Sequence, residues 1–282
     1  MILNGRRRQI DGGVAGKEVL MIRIYGREIS RFLFACGSIL DMRGKTIFFN
    51  WKMKPETAGE ARRIMKAVLA ASRKRITGEI IVASPFVYIA EMARMAKGSG
   101  VKIAGQNCFI QAAGAFTGEI SPTMLKDAGA EYVIIGHSER RAMGEDDGLI
   151  NRKVKAAISA GLKVILAVGE AKKKGVAEAV RVAGKQVSRG LVGVVKEDYK
   201  KVILAYEPVW AISTSRGVKQ AEPEYVGKVM ALLNKWGMPV LYGGSVGAEN
   251  ISDFLSLDAA DGVLVGGASL KVEALQKIIN SL

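Results

Sequence analysis

The chain has 282 residues, 49% of them hydrophobic and 24% charged, with a formal net charge of +15. That length can bury a large α/β core. Two cysteines, Cys36 and Cys108, give neither a disulfide framework nor metal-ligand spacing, and no apolar run is long enough to cross a bilayer. The charge favours anionic ligands, but the runs at 6–8 and 172–174 are short and lack interleaved aromatics. They read as solvated surface and not as a specific nucleic-acid site.

Residues 1–41 show no clear periodicity. They hold Gly12-Gly13 and scattered arginines, and their apolar stretch at 32–40 lies too far from the start for a signal peptide. A targeting presequence stays open as a reading, weakened by Asp11, Glu18 and Glu28. The expectation is an irregular N-terminal extension, either disordered or a misassigned start upstream of Met42. Gly44-Lys45-Thr46 resembles the end of a P-loop. However, Ile39 stands where the first glycine should be, and the strand follows the motif instead of preceding it.

From residue 46 onward, short β-rich apolar segments alternate with longer stretches rich in Ala, Lys, Glu and Met. Strands are expected at 46–51, 79–84, 101–106, 132–137, 163–168, 201–207, 240–243 and 262–265. Most are continuous apolar runs, as parallel strands covered by helices require. Helical patterns at 58–72, 148–160 and 223–236 lie between them. Eight βα units predict a single-domain (β/α)8 TIM barrel over 42–282. An open doubly wound sheet would carry a glycine-rich turn after its first strand. Asn50-Trp51-Lys52-Met53-Lys54-Pro55 is not such a turn.

In a barrel, the residues just past each strand converge on one mouth. Here they are Asn50 and Lys52, Gln106 and Asn107, His137 with Ser138 and Glu139, Glu170, Glu207, Gly243-Gly244-Ser245 and Gly266-Gly267. His137 is the chain's one histidine. Glu207 ends an apolar strand, where poor hydration makes a carboxylate a stronger base toward carbon. Alone, it would read as a strand-end cap or ion pair. Lys52 fits either a cation for a substrate oxygen or a side chain snorkelling at the rim. The two glycine turns follow the last two strands, where barrel enzymes often cradle phosphate on backbone N–H groups.

Six motifs then occur in order, and through them residues 43–282 resemble the triosephosphate isomerase family. They are Phe49-Asn50-Trp51-Lys52-Met53, Gly114-Ala115-Phe116-Thr117-Gly118-Glu119-Ile120-Ser121, and Gly136-His137-Ser138-Glu139-Arg140-Arg141. Then come Ala205-Tyr206-Glu207-Pro208-Val209-Trp210-Ala211-Ile212, Tyr242-Gly243-Gly244-Ser245-Val246 and Val265-Gly266-Gly267-Ala268-Ser269-Leu270. The resemblance implies interconversion of dihydroxyacetone phosphate and D-glyceraldehyde 3-phosphate through an enediolate, with no cofactor and no metal. This is a step of glycolysis and gluconeogenesis in the cytoplasm.

By the same resemblance, Glu207 is the base and His137 the neutral electrophile, a pairing already described for this family. Lys52 balances the enediolate charge, Asn50 donates beside it and Glu139 orients Lys52. The phosphate sits on backbone N–H groups of Ser213, Ser245, Gly266 and Gly267. Residues 208–218 resemble the family's mobile lid. Ser213 and Ser215 replace its usual glycines, and Arg216-Gly217-Val218 forms a changed trailing hinge. Backbone N–H groups survive a Gly-to-Ser change, whereas positive φ angles do so less cheaply. Ala167 stands where the family often has Cys. Residues 111–121 resemble the loop that enters a neighbouring subunit of a homodimer, with Thr117 reaching toward the partner's Asn50 and the partner's Lys52. Two other readings compete: a different phosphosugar barrel enzyme, and a catalytically silent barrel binding polyanions through its basic surface. Lys52, His137 and Glu207 together favour the isomerase over the first, and the second requires a damaged site that the sequence does not display.

Overall fold

The computed structural model describes residues 18–24, 27–33, 44–73, 78–212 and 220–281. The chain divides between Asp41 and Met42 into two units. In the first, strands β1 (Glu18–Ile24) and β2 (Arg27–Leu33) pair antiparallel, from Glu18 opposite Leu33 to Ile24 opposite Arg27. These two strands are the described elements of the N-terminal extension. Only Tyr25 and Gly26 separate the two strands, a connection length that favours a hairpin. The pattern was hard to read because Val19-Leu20-Met21-Ile22 is an unbroken apolar run without a period.

The second unit is a closed barrel of eight parallel strands. They are β3 (Thr46–Asn50), β4 (Glu79–Ala83), β5 (Lys102–Gly105), β6 (Tyr132–Ile135), β7 (Lys163–Val168), β8 (Val202–Tyr206), β9 (Val240–Tyr242) and β10 (Gly262–Val265). Each strand lies beside its neighbours in sequence, and β10 closes onto β3 with Gly262 opposite Thr46 and Val265 opposite Phe49. All eight expected strands form. Several pair over fewer residues than expected, because Trp51, Gln106, His137, Glu207 and Gly243 fall just past the ladder. Those positions are left to build the mouth.

The helices are α1 (Ala58–Ser72), α2 (Ile89–Ala96), α3 (Pro122–Asp127), α4 (Ser138–Ala142), α5 (Asp147–Ser159), α6 (Val176–Gly190), α7 (Pro223–Leu233), α8 (Ile251–Leu255) and α9 (Val272–Ile279). The Thr57 side chain caps α1 by accepting the Glu60 N–H at 3.2 Å. Asp146 caps α5 in the same way through the Leu149 N–H at 2.7 Å. The pattern expected to run to 236 leaves α-geometry at Leu233. It ends in a 3-10 turn that Gly237 terminates at φ 73°.

Both faces of each strand are buried, which explains the continuous apolar runs. Phe48, Ile81, Tyr132, Ile134, Ile165 and Leu264 fill the barrel interior. Their sequence neighbours Ile47, Phe49, Val82, Val133, Ile135, Val164 and Leu166 pack instead with the helix layer. There α1 contributes Ile64, Met65 and Val68, all fully buried. Each such side chain contributes about 1.5–3 kcal/mol by leaving water. The result is a rigid floor beneath the strand ends.

Candidate active site

Glu207 is the first residue past β8. Its N–H still donates to the Val168 carbonyl at 2.8 Å, so the ladder continues into the site. Two glycines give it room. A Cβ at Gly243 would lie 2.7 Å from Glu207 Cγ, and one at Gly169 would lie 2.0 Å from the Glu207 carbonyl oxygen. The side chain is only 2% exposed. Among the described residues, neither carboxylate oxygen has a hydrogen-bond partner. Burial pushes its carboxyl above the usual carboxylate range. The His137 imidazole, the Lys52 ammonium and the Ser138 backbone amide oppose that rise, and Glu139 adds to it. A carboxylate so placed is a stronger base than a hydrated one.

His137 follows β6 and caps α4 with its own ring. Nδ1 accepts the Glu139 N–H at 3.2 Å. Nδ1 serves here as the acceptor, which leaves Nε2 as the ring nitrogen free to donate. Nε2 lies 3.6 Å from Glu207 Oε2. The imidazole and the carboxylate therefore face one another across a gap at the mouth.

Lys52 adopts φ 56°, the one described non-glycine residue with positive φ. Such a conformation costs on the order of 1–3 kcal/mol and persists only where its surroundings impose it. Here two contacts do so. The Lys52 N–H donates to Asn50 Oδ1 at 3.0 Å, and Nζ donates to Glu139 Oε1 at 2.5 Å. Asn50 is itself buried, at the end of β3. With its oxygen engaged by Lys52, the Asn50 amide nitrogen is left as a donor.

A cavity of about 670 Å³ opens beside these groups, lined by Lys52, His137, Ser245, Gly266 and Gly267 among others. Ser245 is tied on both sides of its Cα. Its N–H donates to the Ala211 carbonyl at 3.0 Å, and its hydroxyl donates to the same oxygen at 2.8 Å. The Ser245 N–H expected to receive phosphate is therefore held by protein in this structure. Gly267 opens a short 3-10 turn (Gly267–Leu270), and the Ser269 hydroxyl donates back to the Gly266 carbonyl. Ser213, Ser215 and the trailing hinge lie outside the described residues.

A second buried carboxylate was not assigned a role from sequence. Glu170, 2% exposed, accepts hydrogen bonds from Trp210 Nε1 (2.7 Å), Tyr225 Oη (3.0 Å) and Tyr206 Oη (3.1 Å). Its carbonyl also accepts the Val209 N–H at 3.0 Å. The network anchors the chain immediately after Glu207. The usable signal was the set of aromatic donors Tyr206, Trp210 and Tyr225, which need an acceptor when buried. Asn107, another mouth position, accepts from the buried Lys153 ammonium at 2.8 Å, which also pairs with Glu145 at 2.6 Å. That cluster is structural. Among the described residues, no group of three or more His, Cys, Asp and Glu is placed to hold a metal ion.

The family model described as triosephosphate isomerase matches residues 45–282. The chain belongs to the triosephosphate isomerase family. It is 40% identical over 252 residues to a triosephosphate isomerase of Dictyoglomus thermophilum, covering 85% of this chain and 100% of that one. A triosephosphate isomerase of Trichlorobacter lovleyi is 42% identical over 248 residues, covering 84% and 98%. Among solved structures, the triosephosphate isomerase of Bartonella henselae matches with a TM-score of 0.72 at 32% identity, over 84% of this chain and 98% of that one.

Of the expected site residues, the structure gathers Asn50, Lys52, His137, Glu139 and Glu207 by direct contacts or short gaps. It places Ser245, Gly266 and Gly267 along the same cavity. Thr117 is not brought to that cavity. It lies in an exposed segment where Phe116 packs against Phe109 with ring centroids 4.6 Å apart. No described helix is long and apolar enough to cross a membrane.

Proposed function

We propose that Glu207, His137, Lys52 and Asn50 carry out in this chain the reaction of its family, the interconversion of dihydroxyacetone phosphate and D-glyceraldehyde 3-phosphate. The observation that carries the assignment is the buried, unpartnered Glu207 carboxylate facing His137 Nε2 at 3.6 Å. Glu207 removes a proton from the carbon beside the carbonyl and returns it to the neighbouring carbon. His137 donates its Nε2 proton to the carbonyl oxygen and then moves protons between the two oxygens. The Nδ1 contact to the Glu139 N–H supports a neutral ring in that role. Lys52 balances the enediolate charge, held in place by Glu139, and the Asn50 amide donates beside it.

The phosphate is assigned to the N–H groups of Ser245, Gly266 and Gly267, joined by Ser213. Binding at Ser245 requires the Ala211 carbonyl to give way, which links phosphate arrival to the segment after Glu207. An enediol phosphate loses phosphate in water, so a covering segment over 208–218 would protect it. The chain works as a homodimer in the cytoplasm, as part of glycolysis and gluconeogenesis. The silent polyanion-binding barrel finds no support in the family match or the intact site.

A coupled assay on glyceraldehyde 3-phosphate tests the assignment. Glu207→Asp and His137→Gln should each lower kcat by about 100-fold or more, as loss of acid–base catalysis does, with unfolding temperature nearly kept. Near-normal turnover in either variant would remove that residue from the mechanism.

A further inference from the structure

The loop between β7 and α6 carries Lys172, Lys173 and Lys174, all exposed. Only Lys173 among them has a described ring contact. Its ammonium lies 5.0 Å from the Trp210 ring centroid and 5.6 Å from that of Tyr225. The two rings meet edge to face, with centroids 5.7 Å apart and an interplanar angle of 72°. Their polar atoms converge on one acceptor, because Trp210 Nε1 and Tyr225 Oη both donate to Glu170 Oε1. A cation therefore sits over the rings while a buried carboxylate accepts their hydrogen bonds. A cation over a π face draws on the ring electrons and makes its N–H or O–H a better donor.

Trp210 belongs to the segment immediately after Glu207. That segment is fastened at two further points: the Val209 N–H donates to the Glu170 carbonyl, and the Ala211 carbonyl accepts from Ser245. What holds Trp210 thus bears on the chain that joins the base to the phosphate side.

We propose that Lys173 is a positioning residue for the isomerisation, acting through Trp210 and Tyr225 to fix the 208–212 segment between Glu207 and Ser245. The proposal rests on the assignment of Glu207 as the base. Lys173 touches no substrate. Its neighbours supply controls, since Lys174 instead contributes to the field around the Glu178–Arg181 pair and Lys172 has no ring contact among the described residues.

The test uses the full chain with 5-fluorotryptophan, the Trp210 fluorine resonance being assigned by Trp210→Phe. In Lys173→Met, which keeps the apolar stem and removes the charge, that resonance should shift in the substrate-free protein. kcat/KM should fall about two- to fivefold, the factor that loss of an exposed cation–π contact corresponds to, and the loss should fall on kcat. Lys173→Arg should restore both signals, and Lys172→Met and Lys174→Met should leave both unchanged. An unmoved Trp210 resonance overturns the geometry. A shifted resonance with unchanged kinetics, an Arg variant as poor as Met, or an equal loss in either control overturns the positioning role. The fluorine signal needs no turnover, and Glu207→Asp separately decides the base, so the two failures are told apart.

Discussion

Glu207→Gln is expected to inactivate the enzyme and stabilise it in the same step. The structure buries this carboxylate to 2% exposure with no hydrogen-bond partner among the described residues. A buried unsatisfied polar group costs about 1–3 kcal/mol, and more when charged. Gln leaves an equally buried polar amide, so only the excess cost of the charge is relieved; His137 and Lys52 already offset part of that excess, and the expected net gain is about 1–3 kcal/mol. In a protein of this size, that raises the unfolding temperature by about 2–12 °C. Turnover should fall by about 10²–10⁴, the usual contribution of a positioned base. The pH dependence carries the sign. Burial raises the folded-state carboxyl, so the folded protein keeps a proton that the unfolded chain releases. Stability is therefore lost as pH climbs from the ordinary carboxylate range, 4.5 for this group unfolded, through the raised folded value. The advantage of Gln should be small at acid pH, grow through that window and level off above it. Urea melts of parent and variant across this range, with kcat measured alongside, read both effects. A Gln variant no more stable than the parent at pH 8, or an advantage independent of pH, would refute the argument that burial of the charge is what strains the site.

Three further outcomes follow from particular contacts. Gly243→Ala would place a Cβ 2.7 Å from Glu207 Cγ and push the base aside, so kcat should fall about tenfold or more while KM changes less, as for a misplaced catalytic group; steady-state kinetics check it. In a Cys36→Ser variant, the remaining Cys108 thiol should resist a thiol reagent at pH 8 until the protein unfolds. Its burial pushes the thiol from 9.0 up to about 12, which lowers the thiolate fraction about a thousandfold. Removal of residues 1–41 should leave kcat and unfolding temperature nearly unchanged, because the barrel closes on itself from Thr46; loss of folding in the shortened chain would assign the hairpin a structural role.

The strands were legible because the barrel buries both faces of each one. Continuous runs such as Val202-Ile203-Leu204-Ala205-Tyr206 have no other stable place in a parallel sheet. The antiparallel pairing of Glu18–Ile24 with Arg27–Leu33 was not legible, since an unbroken apolar run carries no period and only pairing reveals it. The reactive residues were visible as polar groups at strand ends, and their order along the chain was enough to assign a family. The sequence alone thus determined the family, the candidate site residues and the strand that each follows. Tertiary structure decided the rest, because the deciding contacts join residues far apart in sequence. It engaged His137 Nδ1 with the Glu139 N–H and turned Nε2 toward Glu207. It stripped Glu207 of partners by packing it against Gly243. It engaged the Ser245 N–H with Ala211 and gathered Trp210 and Tyr225 on Glu170 beneath Lys173. Burial and hydrogen-bond occupancy depend on what the closed barrel brings alongside, and no local pattern records that.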